Sequence, residues 1–186
     1  MRKVLVITLA FFLLNACSSI PDVGVAYHGD FNFLKVKSYS LYHRNSPFTD
    51  SQNLIDIRRN AIEIAIERSM SKQKFNYIEP KKADLIVTYF FLNGKPREYV
   101  KYNNVVRFCA QCLQASTWKK TQQSLNIKKG SLVLDLFDPQ KKRTVWRSAY
   151  PLNIDVRDNS AELNKKIQQA VSLMLAQYPK REKRYK

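Results

Sequence analysis

The stretch SLVLDLFDPQKKRTVWRSAYPL constrains the fold more than any other part of the chain. Leu132, Leu134 and Leu136 recur every second residue, so they share one side of a strand. Asp138-Pro139-Gln140 is turn chemistry, since Pro presets φ and an Asp side chain bonds nearby backbone. RTVWRSAYPL then reads as a second strand. So short a link leaves room only for antiparallel neighbours, because parallel strands need a crossover of a dozen or more residues. Upstream, ADLIVTYFFL is β-branched and aromatic and ends at the turn Asn93-Gly94-Lys95. EYVKYNNVVRF reads as the strand returning from it, and TQQSLNI as a strand resuming before the Lys129-Gly130 turn. Within DFNFLKVKSYSLY, Tyr39 and Leu41 alternate with Ser38, Ser40 and Tyr42, again as in a strand.

Two segments carry helical spacing instead. Thr49 and Gln52 have the T-x-x-Q separation of a capping box, so a helix is expected to start near Thr49 and run to SKQKF. At about 100° per residue, Leu54, Ile55, Ile57, Ala61, Ile62, Ile64, Ala65 and Ile66 fill one broad face. Asp56, Arg59, Asn60, Glu63 and Glu67 lie opposite, and Arg58 falls inside the apolar arc as a snorkelling edge residue. The second helix begins at Asn159-x-x-Glu162, carries Leu163, Ile167, Ala170, Val171, Met174 and Tyr178 as a stripe, and ends at Pro179. The expected fold class is therefore α+β: a mostly antiparallel sheet of about five strands with two amphipathic helices packed on one face. The 186 residues fit a single domain.

The chain opens MRKVLVITLAFFLLNACSS. Arg2 and Lys3 precede an apolar run from Val4 to Leu14, far short of the about 20 apolar residues that span a bilayer. That run has the length of a secretory signal. Leu14-Asn15-Ala16-Cys17 resembles the lipobox of bacterial lipoproteins. The resemblance implies a diacylglyceryl group on the Cys17 sulfur, cleavage before Cys17 and fatty acylation, such as palmitate, of the new amine. Two or three acyl chains hold a protein on a bilayer where one does so only marginally. Ser18 and Ser19 after the Cys resemble the outer-membrane sorting pattern. The expected organisation is residues 1–16 as signal peptide, 17–30 as lipidated tether, 31–179 as the single domain and 180–186 as a basic tail. Residues 18–30, with Pro, Gly and no periodicity, read as a linker reaching about 45 Å when extended.

The formal charge of +17 falls to +15 once Arg2 and Lys3 are removed. In an exported protein such a balance points to anionic headgroups, lipopolysaccharide phosphates or cell-wall carboxylates. No nucleic-acid partner is expected, since no RNP, zinc-finger or helix-turn-helix pattern occurs. Lys180, Arg181, Lys183, Arg184 and Lys186 crowd the tail KREKRYK. They read as a solvated run, with contact to an anionic surface as the functional alternative. Cys109 and Cys112, in RFCAQCL, read as a disulfide in an oxidising compartment, worth about 2 kcal/mol at most for so small a loop. A thioredoxin-like redox site, a zinc site and two free thiols are the competing readings. LQASTWKK makes a poor helix for the first, and the second lacks further ligands of suitable spacing.

Candidate chemistry is sparse. No GxSxG, SxxK, HExxH or phosphate-cradling loop occurs. His28 falls in the expected tether and His43 just after the first strand. Asp135 and Asp138 flank the end of one strand, and Asp155 and Asp158 follow another; Asp138 is explained as a turn former and Asp158 as a helix-start residue. No enzyme activity, cofactor or metal is expected.

The ordered set of a lipobox, DFNFLKVKSYSLY, a long helix, ADLIVTY, GSLVLDLFD, VWRSAY and a closing amphipathic helix resembles the bacterial lipoproteins of the domain of unknown function 4136 family, over about Val23 to Lys180. The resemblance implies an α+β envelope lipoprotein with no established reaction or ligand. Two departures stand out: SKQKF stands where the family tends to have Gly after its first helix, and FCAQCLQASTWKK looks particular to this branch. The expected function is a lipid-anchored, non-catalytic binding or accessory component at the outer membrane, facing the periplasm and engaging an envelope protein or anionic component. The alternative is a periplasm-facing enzyme or thiol–disulfide protein using the Cys pair.

Overall fold

The computed structural model describes residues 23–43, 46–50, 54–120, 125–155 and 157–179. Residues 1–16, expected as a signal peptide, Cys17 and residues 180–186 lie outside the described residues. The hairpin forms as its sequence demands: β6 (Ser131–Asp138) and β7 (Arg143–Pro151) pair antiparallel, with Asp135 opposite Arg147. Asp138 Oδ1 accepts the backbone N–H groups of Gln140 and Lys141 at 2.9 and 3.2 Å, and closes the turn between them.

Five further strands complete the sheet: β1 (Gly24–His28), β2 (Ser38–Leu41), β3 (Asn76–Tyr77), β4 (Leu85–Phe91) and β5 (Trp118–Lys120). Their spatial order is β3-β2-β4-β6-β7-β1-β5, a mixed sheet of seven strands rather than about five. β2 runs parallel to β3 and β4 because the chain between them returns through helix α2 (Asp56–Lys72), which re-enters the sheet in the same direction. The other pairings are antiparallel.

Three expectations need correction. Gly24–His28 is not tether: it lies between β7 and β5, so ordered structure starts by Val23 and not at residue 31. EYVKYNNVVRF is not a strand but contributes to helix α3 (Pro96–Val105), started by a Pro at its first position, where the missing N–H has no intrahelical partner anyway. In place of a strand at TQQSLNI, the strand beside β1 is β5; residues 121–124 lie outside the described residues and 125–127 carry no regular structure.

The sheet is covered on both faces. One face packs on α2 and on α4 (Ser160–Ala176), in a core built on Leu85, Val87 and Tyr89 of β4, the three leucines of β6, and Ile62, Ile66, Met70, Val171 and Met174 of the helices. The second face carries Phe90, Val133 and Ala149 under Tyr102 of α3 and Val106 just after it. A single helical turn, α1 (Pro47–Asp50), precedes α2. The capping box at Asn159 and Glu162 forms as read, each side chain bonding the other's backbone N–H at 3.0 and 2.9 Å. The one expected at Thr49 does not start α2, whose first residue is Asp56.

The face of α2 also differs from expectation. Arg59, Ile62, Ala65, Ile66, Ser69 and Met70 are buried, while Ile57 and Ile64 are 64% and 46% exposed. Two tyrosine hydroxyls set this rotation. Arg59 Nη1 donates to Tyr42 Oη at 3.1 Å, and Tyr89 Oη donates to Glu63 Oε1 at 2.7 Å. Arg59 lies inside rather than opposite the core because its charge has a partner there. Arg58 lies half-buried, its guanidinium 5.0 Å from the centre of the Phe91 ring. Lys74 follows the end of the helix with φ at 66°, in the left-handed region.

Candidate functional site

The most concentrated polar chemistry is sealed under α3. Asp135 and Arg147 face each other across β6 and β7, and both side chains are fully buried. Arg147 Nε and Nη2 donate to the two carboxylate oxygens at 2.7 Å each, a bidentate fork. Its Nη1 donates to Asn103 Oδ1 at 2.8 Å and to Tyr99 Oη at 3.2 Å. Tyr102 Oη donates to Asp135 Oδ2 at 2.6 Å and shares a 2.9 Å bond with Thr88. The Phe108 ring closes one side, its centre 3.6 Å from the guanidinium carbon.

The electrostatics of this network are those of a lock. Burial, and then the Asp135 charge, raise the Tyr102 hydroxyl well above its ordinary value and keep it a donor. Burial opposes the charge on Arg147, but Asp135 more than restores it and holds the guanidinium above its ordinary pKa. The fully buried side chains of Asp135, Arg147, Tyr102 and Thr88 all bond within the network, and the half-buried Tyr99 and Asn103 close its outer edge. The arrangement pins α3 to the sheet.

The other residues singled out in the sequence are scattered. Cys109 and Cys112 form a disulfide in which Cys112 is exposed and lies within a single 3₁₀ turn, Gln111–Gln114. His28 is buried at the end of β1, edge-on to Trp118. Arg143 Nη2 donates to its Nε2 at 2.9 Å, so the ring proton sits on Nδ1, which is buried without a partner among the described residues. Burial, followed by the Arg143 charge, lowers the His28 pKa. His43 is exposed beyond β2. Asp155 pairs with Arg157 at 3.0 Å and Asp158 with Lys166 at 2.7 Å, which lower both carboxyl pKa values. Among the described residues no three His, Cys, Asp or Glu side chains converge as metal ligands, and no helix is long and apolar enough to cross a membrane.

One open concavity lies where α2 and α4 end. A cleft of about 430 Å³ has Phe33, Phe75 and Tyr178 as its aromatic wall and Lys37 and Lys74 at its rim. Tyr178 packs edge-on against both Phe rings and donates its hydroxyl to the Phe33 carbonyl at 2.8 Å. Leu34, 60% exposed, lies beside them. Apolar walls with cations at the rim suit an amphiphilic, anionic ligand. Pro179 also lines this cleft, so the basic tail continues in sequence from its edge.

A family model described as Domain of unknown function (DUF4136) matches residues 23–180. The chain belongs to that family. Among solved structures, a DUF4136 family protein from Bacteroides thetaiotaomicron VPI-5482 is similar at 14% identity over 83% of this chain and 94% of that one, with a TM-score of 0.53. At that identity the likeness concerns the fold of the DUF4136 domain alone. A PDZ domain protein from Parabacteroides distasonis ATCC 8503 is matched at 16% identity over 86% of this chain and 35% of that one, with a TM-score of 0.48, too low to support an argument. No curated protein matches this DUF4136 chain.

Sequence reasoning missed the Arg147 network, though a signal was present. Asp135 interrupts SLVLDLFD and Arg147 interrupts RTVWRSAY at similar distances from one turn, so the hairpin register sets opposite charges side by side. The cleft left no comparable trace. Its walls come from three segments distant in sequence, around Phe33, Phe75 and Tyr178.

Proposed function

We propose that this DUF4136 chain is a lipid-anchored component of the bacterial cell envelope, held through Cys17, with a non-catalytic binding or accessory role at the periplasmic side of the outer membrane. The observation that carries the reading is the Leu14-Asn15-Ala16-Cys17 sequence behind a short apolar run. Its spacing agrees with the fold: only residues 18–22 separate Cys17 from the first described residue of the domain. The cationic rim of the Phe33–Tyr178 cleft, together with Lys180, Arg181, Lys183, Arg184 and Lys186 in the sequence, supports an anionic envelope component as the partner class.

Mass spectrometry of the mature amino terminus tests the anchor. The expected result is loss of residues 1–16 and acyl mass on Cys17, and Cys17→Ala should leave the membrane fraction or accumulate unprocessed. A mature chain beginning at Met1 without acyl mass overturns the reading.

The exposed Cys109–Cys112 disulfide favours a second reading, a thiol–disulfide function. A reactive pair needs a thiol of lowered pKa, commonly at the start of a helix, and the single 3₁₀ turn here supplies little of that. Ready reduction by a mild dithiol would favour this second reading; resistance would leave the bond a structural role.

A further inference from the structure

The elements sort into two poles, and the first carries an unusual surface. Gly24 pairs with Ala149, so the start of β1 lies beside the end of β7. Leu152 N donates to the Gly130 carbonyl at 3.1 Å, and Gly130 N to the Leu92 carbonyl at 2.7 Å. These bonds bring the start of β6 and the end of β4 to the same pole. Arg58 over Phe91 adds the start of α2, and Gln73 Nε2, donating to the Leu175 carbonyl at 2.9 Å, places the ends of α2 and α4 together at the opposite pole. The chain therefore comes in at Val23 on one pole and leaves at Pro179 on the other.

On the first pole stand Ile55 and Ile57, 61% and 64% exposed, with Lys95, Lys128 and Lys129 around the β4–β6 connection. The Lys129 side chain lies along Gly94, where an added Cβ would come within 3.3 Å of it. The acids nearby are mostly engaged. Glu98 pairs with Lys95, and Asp155 and Asp158 with Arg157 and Lys166. Asp56 is exposed, and no ion pair joins Lys128 or Lys129 to a described acid.

We infer that this pole is the face laid on the bilayer, with Ile55 and Ile57 at headgroup depth and Lys95, Lys128 and Lys129 against anionic phosphates. The inference rests on the Cys17 anchor. Residues 17–22 extend at most about 20 Å, at roughly 3.3–3.6 Å each. Strand β6 alone spans about 27 Å at roughly 3.4 Å per residue, so the pole at Val23 is held at the membrane while the opposite pole is free to point away. Exposed aliphatic side chains among lysines are the composition that binds such an interface. The Phe33–Tyr178 cleft then faces outward, toward a second envelope component.

Amine-acylation footprinting of the full lipidated protein tests this. The protein is compared in phosphatidylethanolamine–phosphatidylglycerol vesicles and in phosphatidylcholine vesicles. In the anionic vesicles, Lys95, Lys128 and Lys129 should lose reactivity by about threefold or more, while Lys81, Lys141 and Lys142 at the far pole stay unchanged. Uniform reactivity, or protection at the far pole, overturns the orientation. The variant Ile55→Ser/Ile57→Ser alters only exposed positions, so its fold is retained; it should lose much of the protection, and full protection would remove the isoleucines from the interface. The same spectra report the amino terminus. An acylated Cys17 with uniform labelling refutes the orientation alone, whereas an unacylated chain refutes the anchor and the orientation together.

Discussion

Arg147→Met is the sharpest probe of what holds the second sheet face together. Methionine keeps an apolar stem of similar length and removes the charge. Asp135 would then remain fully buried, with only the 2.6 Å bond from Tyr102 in place of that bond and two 2.7 Å charged bonds. Removing one partner of a buried pair costs about 3–5 kcal/mol, because the survivor keeps its desolvation penalty without its Coulomb partner. Against a typical domain stability of about 5–15 kcal/mol this is a large share. It corresponds to a fall in Tm of about 6–20 °C for a chain of this size.

The double variant Asp135→Leu/Arg147→Met discriminates between charge and packing. Tyr102 keeps its 2.9 Å bond to Thr88, and Tyr99 and Asn103 are only partly buried and reach water. The double variant should therefore recover at least about 2 kcal/mol relative to the sum of the single changes. Urea unfolding, followed by circular dichroism and by the fluorescence of buried Trp146, measures all three variants. A single-variant cost below about 1 kcal/mol, or strict additivity, would refute the reading of this network as a sealed, coupled lock.

The rotation of α2 predicts opposite outcomes for neighbouring isoleucines. Ile62→Ala should cost about 2–5 kcal/mol, while exposed Ile57→Ala should stay within about 0.5 kcal/mol, and a reversed order in urea midpoints would contradict the burial pattern. His28 gives a pH signature. Its folded pKa lies below the ordinary 6.5, so between the two values the unfolded chain binds more protons and stability rises with pH. Acidification below about pH 6.5 should thus progressively weaken the fold, and His28→Gln should flatten that dependence in urea titrations. Cys109→Ser/Cys112→Ser should lower stability by about 2 kcal/mol or less, as the chain-entropy cost of so short a loop demands, with a larger loss assigning the bond a role in packing.

The readable elements were those whose evidence is local. The β6–β7 hairpin announces itself by period-two leucines and an Asp-Pro turn, and α4 by a capping box and an apolar stripe, and all of these reappear in the structure. β1 was hidden because GVAYH sits among Pro, Gly and polar residues. It is a strand only because β7 and β5 offer it hydrogen bonds on both sides. The rotation of α2 was hidden because Arg59 and Glu63 turn inward to tyrosines distant in sequence, against the rule that charges face water.

Helix α3 is the instructive case, because its existence was implied by a different segment. LIVTYFF of β4 is buried at all seven positions, and an unbroken apolar run of that kind belongs to a strand covered on both faces. Two helices on one face leave the other open, so some further segment had to cover it. That cover is ten residues long, with Tyr99, Tyr102 and Val106 as its main apolar contacts, too little for a helix to be stable by itself in water. Its position is set by the hydroxyls of Tyr99 and Tyr102 and the amide of Asn103, which bond across to Asp135, Thr88 and Arg147. Tyr99, Tyr102 and Val106 keep helical spacing at i, i+3 and i+7, but a segment rich in Tyr and Val also reads as a strand, so its own sequence does not decide for α3. Its trace lies in the strand beneath, where an acid on β6 and a base on β7 interrupt two apolar runs in register.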